Sequence, residues 1–260
     1  MPTARVPVSL PDSAIVRESR VTVLSRPAFA EPDQLRVERQ GEATDGERLA
    51  EYAERLRTSS HHNPAGRDTR DYLRSLAAQG HDGALEHAHY TLHVEGVSRS
   101  LTCELQRRRT EFTFTERSLR HVEAGDLRFV VPPALIGSAD LEAAWVSQMR
   151  RAVESYAALV DELMTRYAWV GDKLQRRKIA REAAFGVLPN CTESALVLTG
   201  SARAWRTLLV DVCSESTELE LRRLAVQMLR LLATEAPTFF DDFTIYLAPD
   251  RREAARISVQ

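Results

Sequence analysis

The stretch His87-Ala88-His89-Tyr90-Thr91-Leu92-His93-Val94-Glu95-Gly96-Val97-Ser98 decides the fold class. Tyr90, Leu92 and Val94 are spaced by two, the period of a strand with one buried face. Ser98 then stands where an N-cap belongs, and the pattern predicts a helix from Arg99 to about Arg108. Upstream, Leu49, Tyr52, Ala53 and Leu56 share one face of a helix that begins near Glu47. Ser59-Ser60-His61-His62-Asn63-Pro64 breaks it, and Thr69 to Ala78 reads as a second helix with Leu73 and Leu76 inward. Gly80 closes that helix as a C′ residue does. Further upstream, Pro2, Pro7, Pro11, Pro27 and Pro32 punctuate short apolar pieces, of which Val21 to Leu24 reads as an edge strand.

Downstream, an extended piece from Leu127 to Val131 stops at Pro132-Pro133. A long amphipathic helix then runs from Leu141 to about Val170, closed by Gly171. Helices are expected over 172–184, 202–213 and 217–234, with a strand at Glu193 to Thr199. The expected architecture is α+β: a small mixed or antiparallel sheet with grouped helices, helix-rich toward the C-terminus. Residues 1–45 read as an N-terminal extension, partly strand. Residues 46–250 form the α+β domain, and residues 251–260 a C-terminal tail.

The 260 residues carry 43% hydrophobic and 28% charged positions, enough apolar mass for a real core. A formal charge of −2 gives no global basic field, so no nucleic-acid partner is expected. No apolar stretch reaches the length of a membrane span and no leader pattern opens the chain. The composition is that of a soluble, cytoplasmic protein with no membrane partner. Cys103, Cys191 and Cys213 are too scattered for a disulfide framework or a metal knuckle. Nearly all cations are arginine, with Lys173 and Lys178 the only lysines.

The most unusual segment is Gln106-Arg107-Arg108-Arg109-Thr110-Glu111-Phe112-Thr113-Phe114-Thr115-Glu116-Arg117-Ser118-Leu119-Arg120-His121. Its five arginines and interleaved hydroxyls can bind phosphate or carboxylate, because guanidinium forks engage such anions bidentately. The plainer reading is a solvated charged surface at a helix end. Against that reading, Phe112 and Phe114 alternate with hydroxyls, so part of the run is packed. His81, His87, His89 and His93 cluster earlier, and along a strand the last three share a face. No carboxylate or cysteine stands at a supporting spacing, so no metal site is expected. Gly-rich phosphate loops, nucleophile elbows and Cys-x-x-Cys pairs are absent from the sequence.

Taken together, these segments resemble the flavin-dependent thymidylate synthase family from about Leu56 to Phe243. Gly80-His81-Asp82-Gly83-Ala84-Leu85-Glu86-His87 resembles that family's Gly-His-Glu-x-x-x-Glu-His turn. Arg107 to His121 resembles its Arg-His-Arg, seven spacer residues, Ser-x-Arg-Tyr. Val187-Leu188-Pro189 resembles its Leu-Pro segment and Gly200-Ser201-Ala202-Arg203 its Thr-x-Asn-x-Arg. Glu218 to Arg222 resembles its late Gln/Glu-x-Glu-Ile-Arg helix. The resemblance implies a cytoplasmic homotetramer with FAD as cofactor, reduced by NADPH. Such an enzyme takes a methylene group from methylenetetrahydrofolate and methylates C5 of dUMP. Residue by residue, it implies FAD contacts from Arg107, Arg108 and Arg109, with Ser59, Ser201 and Arg203 also near flavin. His81 matches a histidine near flavin and folate. Glu116, Ser118, Leu119 and Arg120 match the segment that holds the nucleotide, chiefly its phosphate. The catalytic residues themselves are not assigned.

The departures from the family pattern are as informative. Its middle histidine is Arg108 here, its spacer is one residue longer, and its tyrosine is His121. A nucleotide-binding arginine is replaced by Phe185, and the arginine that polarises the uracil ring falls at Val212. The Asn of the Asn-x-Arg element is Ser201, a flavin-contacting histidine is Ser216, and Asp211 stands where an apolar residue is usual. A charged hydrogen bond is worth on the order of 1.5–3 kcal/mol, so two missing arginines cost roughly 3–6 kcal/mol of binding. An apolar base pocket would also leave a uracil's carbonyls unpaired at about 1–3 kcal/mol apiece. The expectation is a divergent flavin-dependent methyltransferase or redox enzyme acting on a small-molecule or nucleotide-like substrate other than dUMP. The alternatives are a genuine thymidylate synthase, compensated by Arg117, Arg206 or His121, and a non-catalytic scaffold relative.

Overall fold

A computed structural model describes residues 10–33, 36–63 and 65–258. Pro2, Pro7 and Pro64, and residues 1–9 of the expected extension, lie outside them. The strands are β1 (Ile15–Val16), β2 (Arg20–Ser25), β3 (His89–Ser98), β4 (Phe112–Glu116), β5 (Phe129–Val130), β6 (Glu193–Ser201), β7 (Phe243–Leu247) and β8 (Glu253–Ile257). The helices are α1 (Asp45–Thr58), α2 (Thr69–Ala78), α3 (Arg99–Gln106), α4 (Ala139–Arg166), α5 (Lys173–Ala184), α6 (Ala202–Val212), α7 (Leu219–Glu235) and α8 (Pro237–Phe240). The fold is α+β, as the alternating pattern around Tyr90 requires. Four strands form a sheet in the order β2-β3-β6-β4, with β2 at an edge. Thr91 meets Thr199 (2.9 Å between hydroxyls) and the Gly96 amide meets the Glu193 carboxylate (3.1 Å), so β3 and β6 run antiparallel. A short parallel pair joins β1 to β5, and β7 and β8 form an antiparallel hairpin.

The chain packs as two units. The first comprises 1–20, 95–107 and 116–196. In it α4 and α5 pack together, and Leu127, Phe129, Met149, Val153, Tyr156 and Ala184 form a buried cluster. Gly96 has a positive φ of 71°, and a Cβ there would meet the Glu18 carbonyl oxygen at 2.7 Å, so only glycine suits this bend of β3. Ser98 caps α3 by accepting the Leu101 amide (3.1 Å).

The second unit comprises 21–94, 108–115 and 197–260. Its core includes Tyr90, Leu92, Leu198, Trp205, Leu208, Leu209 and Leu224. The Trp205 indole donates to the Tyr90 carbonyl (3.2 Å) and stacks edge-on against Phe112 (4.7 Å), which covers Gly200. Thr44 and Glu47 close a capping box on α1, and Asp68 caps α2. The buried face of α1 departs from expectation. Ala50, Glu51, Glu54 and Arg55 are buried, whereas Leu56 is 51% exposed. Glu51 tolerates burial because Arg55 (2.7 Å) and the Thr69 hydroxyl (2.7 Å) both donate to it, and the Arg55 guanidinium lies over the Tyr72 ring at 4.1 Å. Charge pairing therefore overrides apolar periodicity in this helix. Strand β4 and the C-terminal hairpin were not anticipated as strands. Among the described residues, no helix is long and apolar enough to cross a membrane.

Candidate functional site

In the first unit, five residues expected to hold substrate share one cavity. Glu116, Ser118, Leu119, Arg120 and Phe185 line a space of about 350 Å³ together with Arg99, Arg117 and Glu182. Three separate pieces of chain build it: the start of α3, the end of β4 with the turn after it, and the end of α5. Glu116 is the keystone. Its carboxylate accepts from Arg99 Nη1 (3.1 Å), Thr102 Oγ1 (2.8 Å), Gln106 Nε2 (2.6 Å) and Ser194 Oγ (2.9 Å). Three of these donors crowd Oε1 and Gln106 holds Oε2, so Glu116 positions its neighbours and has little capacity left for a ligand.

Around this keystone the cations differ in availability. Arg117 is bound to the buried carboxylate of Glu193, to which Arg128 also lies close (3.9 Å). Arg99 sits with its guanidinium 5.4 Å from the centre of the Phe185 ring. Arg120 is half exposed and makes only a loose 3.5 Å contact with Glu182, itself exposed. Such surface pairs are worth about 0–1 kcal/mol, so an incoming anion can take Arg120 at small cost. Ser118 is exposed beside it and Leu119 is buried beneath. The cavity thus offers a hydroxyl, an available guanidinium and an aromatic wall with a cation over its face. Arg99 went unnoticed in the sequence, where it reads only as the first residue of a helix. A cation at that end opposes the helix dipole, which is the signal that could have found it.

Val212, the remaining substrate candidate, is buried in α6 of the second unit and is not among the residues lining this cavity. Most of the cofactor candidates also belong to the second unit. His81 lines a space of about 400 Å³ with Ala53, Glu54, Arg57, Gly83, Ala84 and His87. Arg57 holds the nearly buried Glu54 carboxyl below its usual range, through a direct ion pair. Ser201 caps α6 by accepting the Ala204 amide (3.1 Å) and donates to Glu86 (2.7 Å). Arg203 is held between Asp82 (3.1 Å) and Glu86 (3.2 Å). Asp82, Arg203 and Asp211 line a further space of about 260 Å³. Ser59 terminates α1 in a left-handed conformation, φ 52°, and lines neither of these two spaces.

The arginine triplet does not present three equivalent cations. Arg107 pairs with Glu104 (2.9 Å) in the first unit. Arg108 donates to Asp211 (2.7 Å) and lies 3.8 Å from Glu111. Arg109 is exposed. The two arginines suited to compensate for Phe185 and Val212 are also engaged: Arg117 by Glu193, and Arg206 by Asp242 (2.7 and 2.6 Å) and the Phe239 carbonyl. His87 and His89 are exposed, and no group of three or more metal-ligating side chains converges among the described residues. Trp205 is core, whereas Trp169 is 78% exposed. Cys213 is buried, and burial pushes its thiol up to about 12.

Comparison with known proteins identifies the family. The family described as "Thymidylate synthase complementing protein" matches residues 41–238. A flavin-dependent thymidylate synthase of Mycobacterium sp. (strain JLS) is 38% identical over 244 residues, 91% of this chain and 94% of the relative. That of Mycobacterium marinum (strain ATCC BAA-535 / M) is 37% identical over 238 residues, with the same coverage. Among solved structures, the UMP/dUMP methylase PolB of Streptomyces cacaoi, bound with 5-Br dUMP, shares the fold with a TM-score of 0.63 and 24% identity, over 87% of this chain and 95% of that one. The chain therefore belongs to the thymidylate synthase complementing protein family, that of the flavin-dependent thymidylate synthases.

Proposed function

We propose that the protein is a FAD-dependent, thymidylate synthase-like transferase or redox enzyme whose substrate is a phosphate-bearing small molecule other than dUMP. The carrying observation is the cavity at Glu116, Ser118, Arg120 and Phe185, which keeps an anion-binding rim while one wall is aromatic. Arg120 and Ser118 would take the phosphate, with Arg99 as a second cation held at range by Glu116. In this cavity Phe185 offers no hydrogen-bond partner to a uracil carbonyl, and a buried unpaired carbonyl costs about 1–3 kcal/mol.

The second unit carries most of the residues that the resemblance assigns to FAD. Arg109 is exposed, while Ser201 and Arg203 at the start of α6 are engaged by Glu86 and Asp82, half-exposed carboxylates that a cofactor phosphate would have to displace; His81 lines a separate space. Ser59 and Arg107 are assigned to the cofactor on the resemblance alone. FAD, when bound, supplies electron and hydride transfer; this chain's residues bind and orient it. NADPH as reductant, methylenetetrahydrofolate as carbon donor, a cytoplasmic location and a homotetrameric assembly are carried by the same reading.

The relatives at 37–38% identity, named as thymidylate synthases, favour dUMP as the alternative substrate. The engagement of Arg117 and Arg206 by carboxylates speaks against that alternative, because neither cation is at hand to replace the lost ones. Tritium release from [5-³H]dUMP, with FAD, NADPH and methylenetetrahydrofolate, tests the choice. The proposal expects flavin reduction by NADPH with no release above a no-enzyme control. Release at turnover would establish the protein as a thymidylate synthase.

A further inference from the structure

We propose that Asp211 is an internal counter-anion that withholds Arg108 from phosphate binding and so sets the anion affinity at Arg108 and Arg109 in the second unit. Resting on the cofactor reading above, the inference assigns Asp211 a role and removes Arg108 from the ligands.

The argument begins with a placement that local physics disfavours. Asp211 is the penultimate residue of α6, where the helix dipole is negative and a carboxylate is repelled by about 0.3–1 kcal/mol. It persists opposite a cation: Arg108 Nη2 donates to Asp211 Oδ2 at 2.7 Å, while Glu111 flanks Nη1 at 3.8 Å. All three residues belong to the second unit. Arg108 is the more enclosed partner, its side chain 26% exposed against 52% for Asp211. The carboxylate is thus on the solvent side and the guanidinium behind it. Asp211 also lines the space of about 260 Å³ that contains Arg203, whereas Arg108 is not among its lining residues.

Two consequences follow for binding. With its charge met by one close carboxylate and one loose one, Arg108 adds little attraction for a diphosphate in the native protein. Removing the charge of Asp211 leaves Arg108 facing only Glu111, and a diphosphate can then recruit it as a further charge-assisted donor.

The test is calorimetric titration of ADP, the diphosphate-bearing half of FAD, into the full-length protein and three variants at fixed low ionic strength. Asp211→Asn is expected to bind ADP about 5–10-fold more tightly, with a steeper loss of affinity as salt rises. The double variant Arg108→Gln/Asp211→Asn, which removes the pair together, is expected to match the native protein within twofold, and Arg108→Gln alone to bind about 2–5-fold more weakly because Asp211 is left unpaired. Asp211→Glu, which keeps the charge, is run as the conservative control and is expected to stay at the native value. A tenfold loss in the double variant would overturn the proposal, because Arg108 would then be a direct ligand. Unchanged or weaker binding in Asp211→Asn would overturn it too. Failure of the cofactor reading is separable. A native protein that refuses FAD while Asp211→Asn still gains ADP affinity defeats that reading alone. Retained FAD with no response to Asp211→Asn defeats this inference alone.

Discussion

Arg99 and Asp211 are both charges of the wrong sign for the helix end they occupy, and the two units resolve them differently. In the first unit, Arg99 opens α3 and is held by Glu116, whose carboxylate is also saturated by Thr102, Gln106 and Ser194. The carboxylate is used up, the neighbouring Arg120 is left with only a 3.5 Å contact, and the cavity keeps cationic capacity. In the second unit the balance is reversed. Asp211 engages Arg108, and Asp82 and Glu86 engage Arg203, so the guanidinium groups are the ones used up. Counting arginines therefore overstates what the triplet can bind. What matters is how many donors each carboxylate already has.

Arg120→Ala gives the sharpest way to break this comparison. If Arg120 is the available cation, its loss costs on the order of 2–3 kcal/mol, or about 30–150-fold in affinity for a nucleoside monophosphate, measured by titration. An unchanged affinity would mean that the cavity is not the phosphate site. Glu116→Gln addresses the keystone instead. It weakens several hydrogen bonds at once and should lower stability by about 2 kcal/mol in chemical denaturation. A loss within error would show that the network is ornamental to the fold.

Phe185→Ala refines the account of the aromatic wall. Removing the ring beneath Arg99 forfeits a cation–π contact of about 0.5–1 kcal/mol, so phosphate affinity should fall by roughly 2–5-fold with little change in unfolding. The smallest effect concerns Cys213, two residues beyond Asp211. Its folded thiol is pushed up to about 12 by burial, against an ordinary value of 9.0. The thiol's contribution to stability is therefore full below pH 9 and lost progressively between 9 and 12, as the unfolded chain releases a proton that the folded one keeps. The slope is at most about 1.4 kcal/mol per pH unit. Denaturant midpoints between pH 9 and 10 should show this slope in the native protein and a shallower one in Cys213→Ala.

Much of the fold was legible because its signals are local. The period of two at Tyr90, Leu92 and Val94, the cap at Ser98 and the helix over Thr69–Ala78 all lie where the sequence predicts. Strand β4 was obscured by the charge of its flanks, although Phe112 and Phe114 carried the correct alternation. The face of α1 was misread because apolar periodicity cannot register that Glu51 and Arg55 neutralise each other four residues apart. The cavity residues Glu116, Ser118, Leu119 and Arg120 were named together because they are contiguous. Arg99 and Glu182 come from distant pieces of chain, and only folding joins them to the rest. The one local trace of both Arg99 and Asp211 is a violated helix-dipole preference, and such violations collect where a partner offsets them.

The central proposal is that the flavin chemistry of the family survives in a chain with Phe185 and Val212 where the resemblance expects nucleotide-reading arginines. An absorption spectrum of the purified full-length protein, taken before and after incubation with excess FAD and desalting, tests it most directly. The account predicts a retained flavin band near one equivalent per chain. A colourless protein after desalting would contradict it, and would mean that the fold is kept and the redox chemistry abandoned.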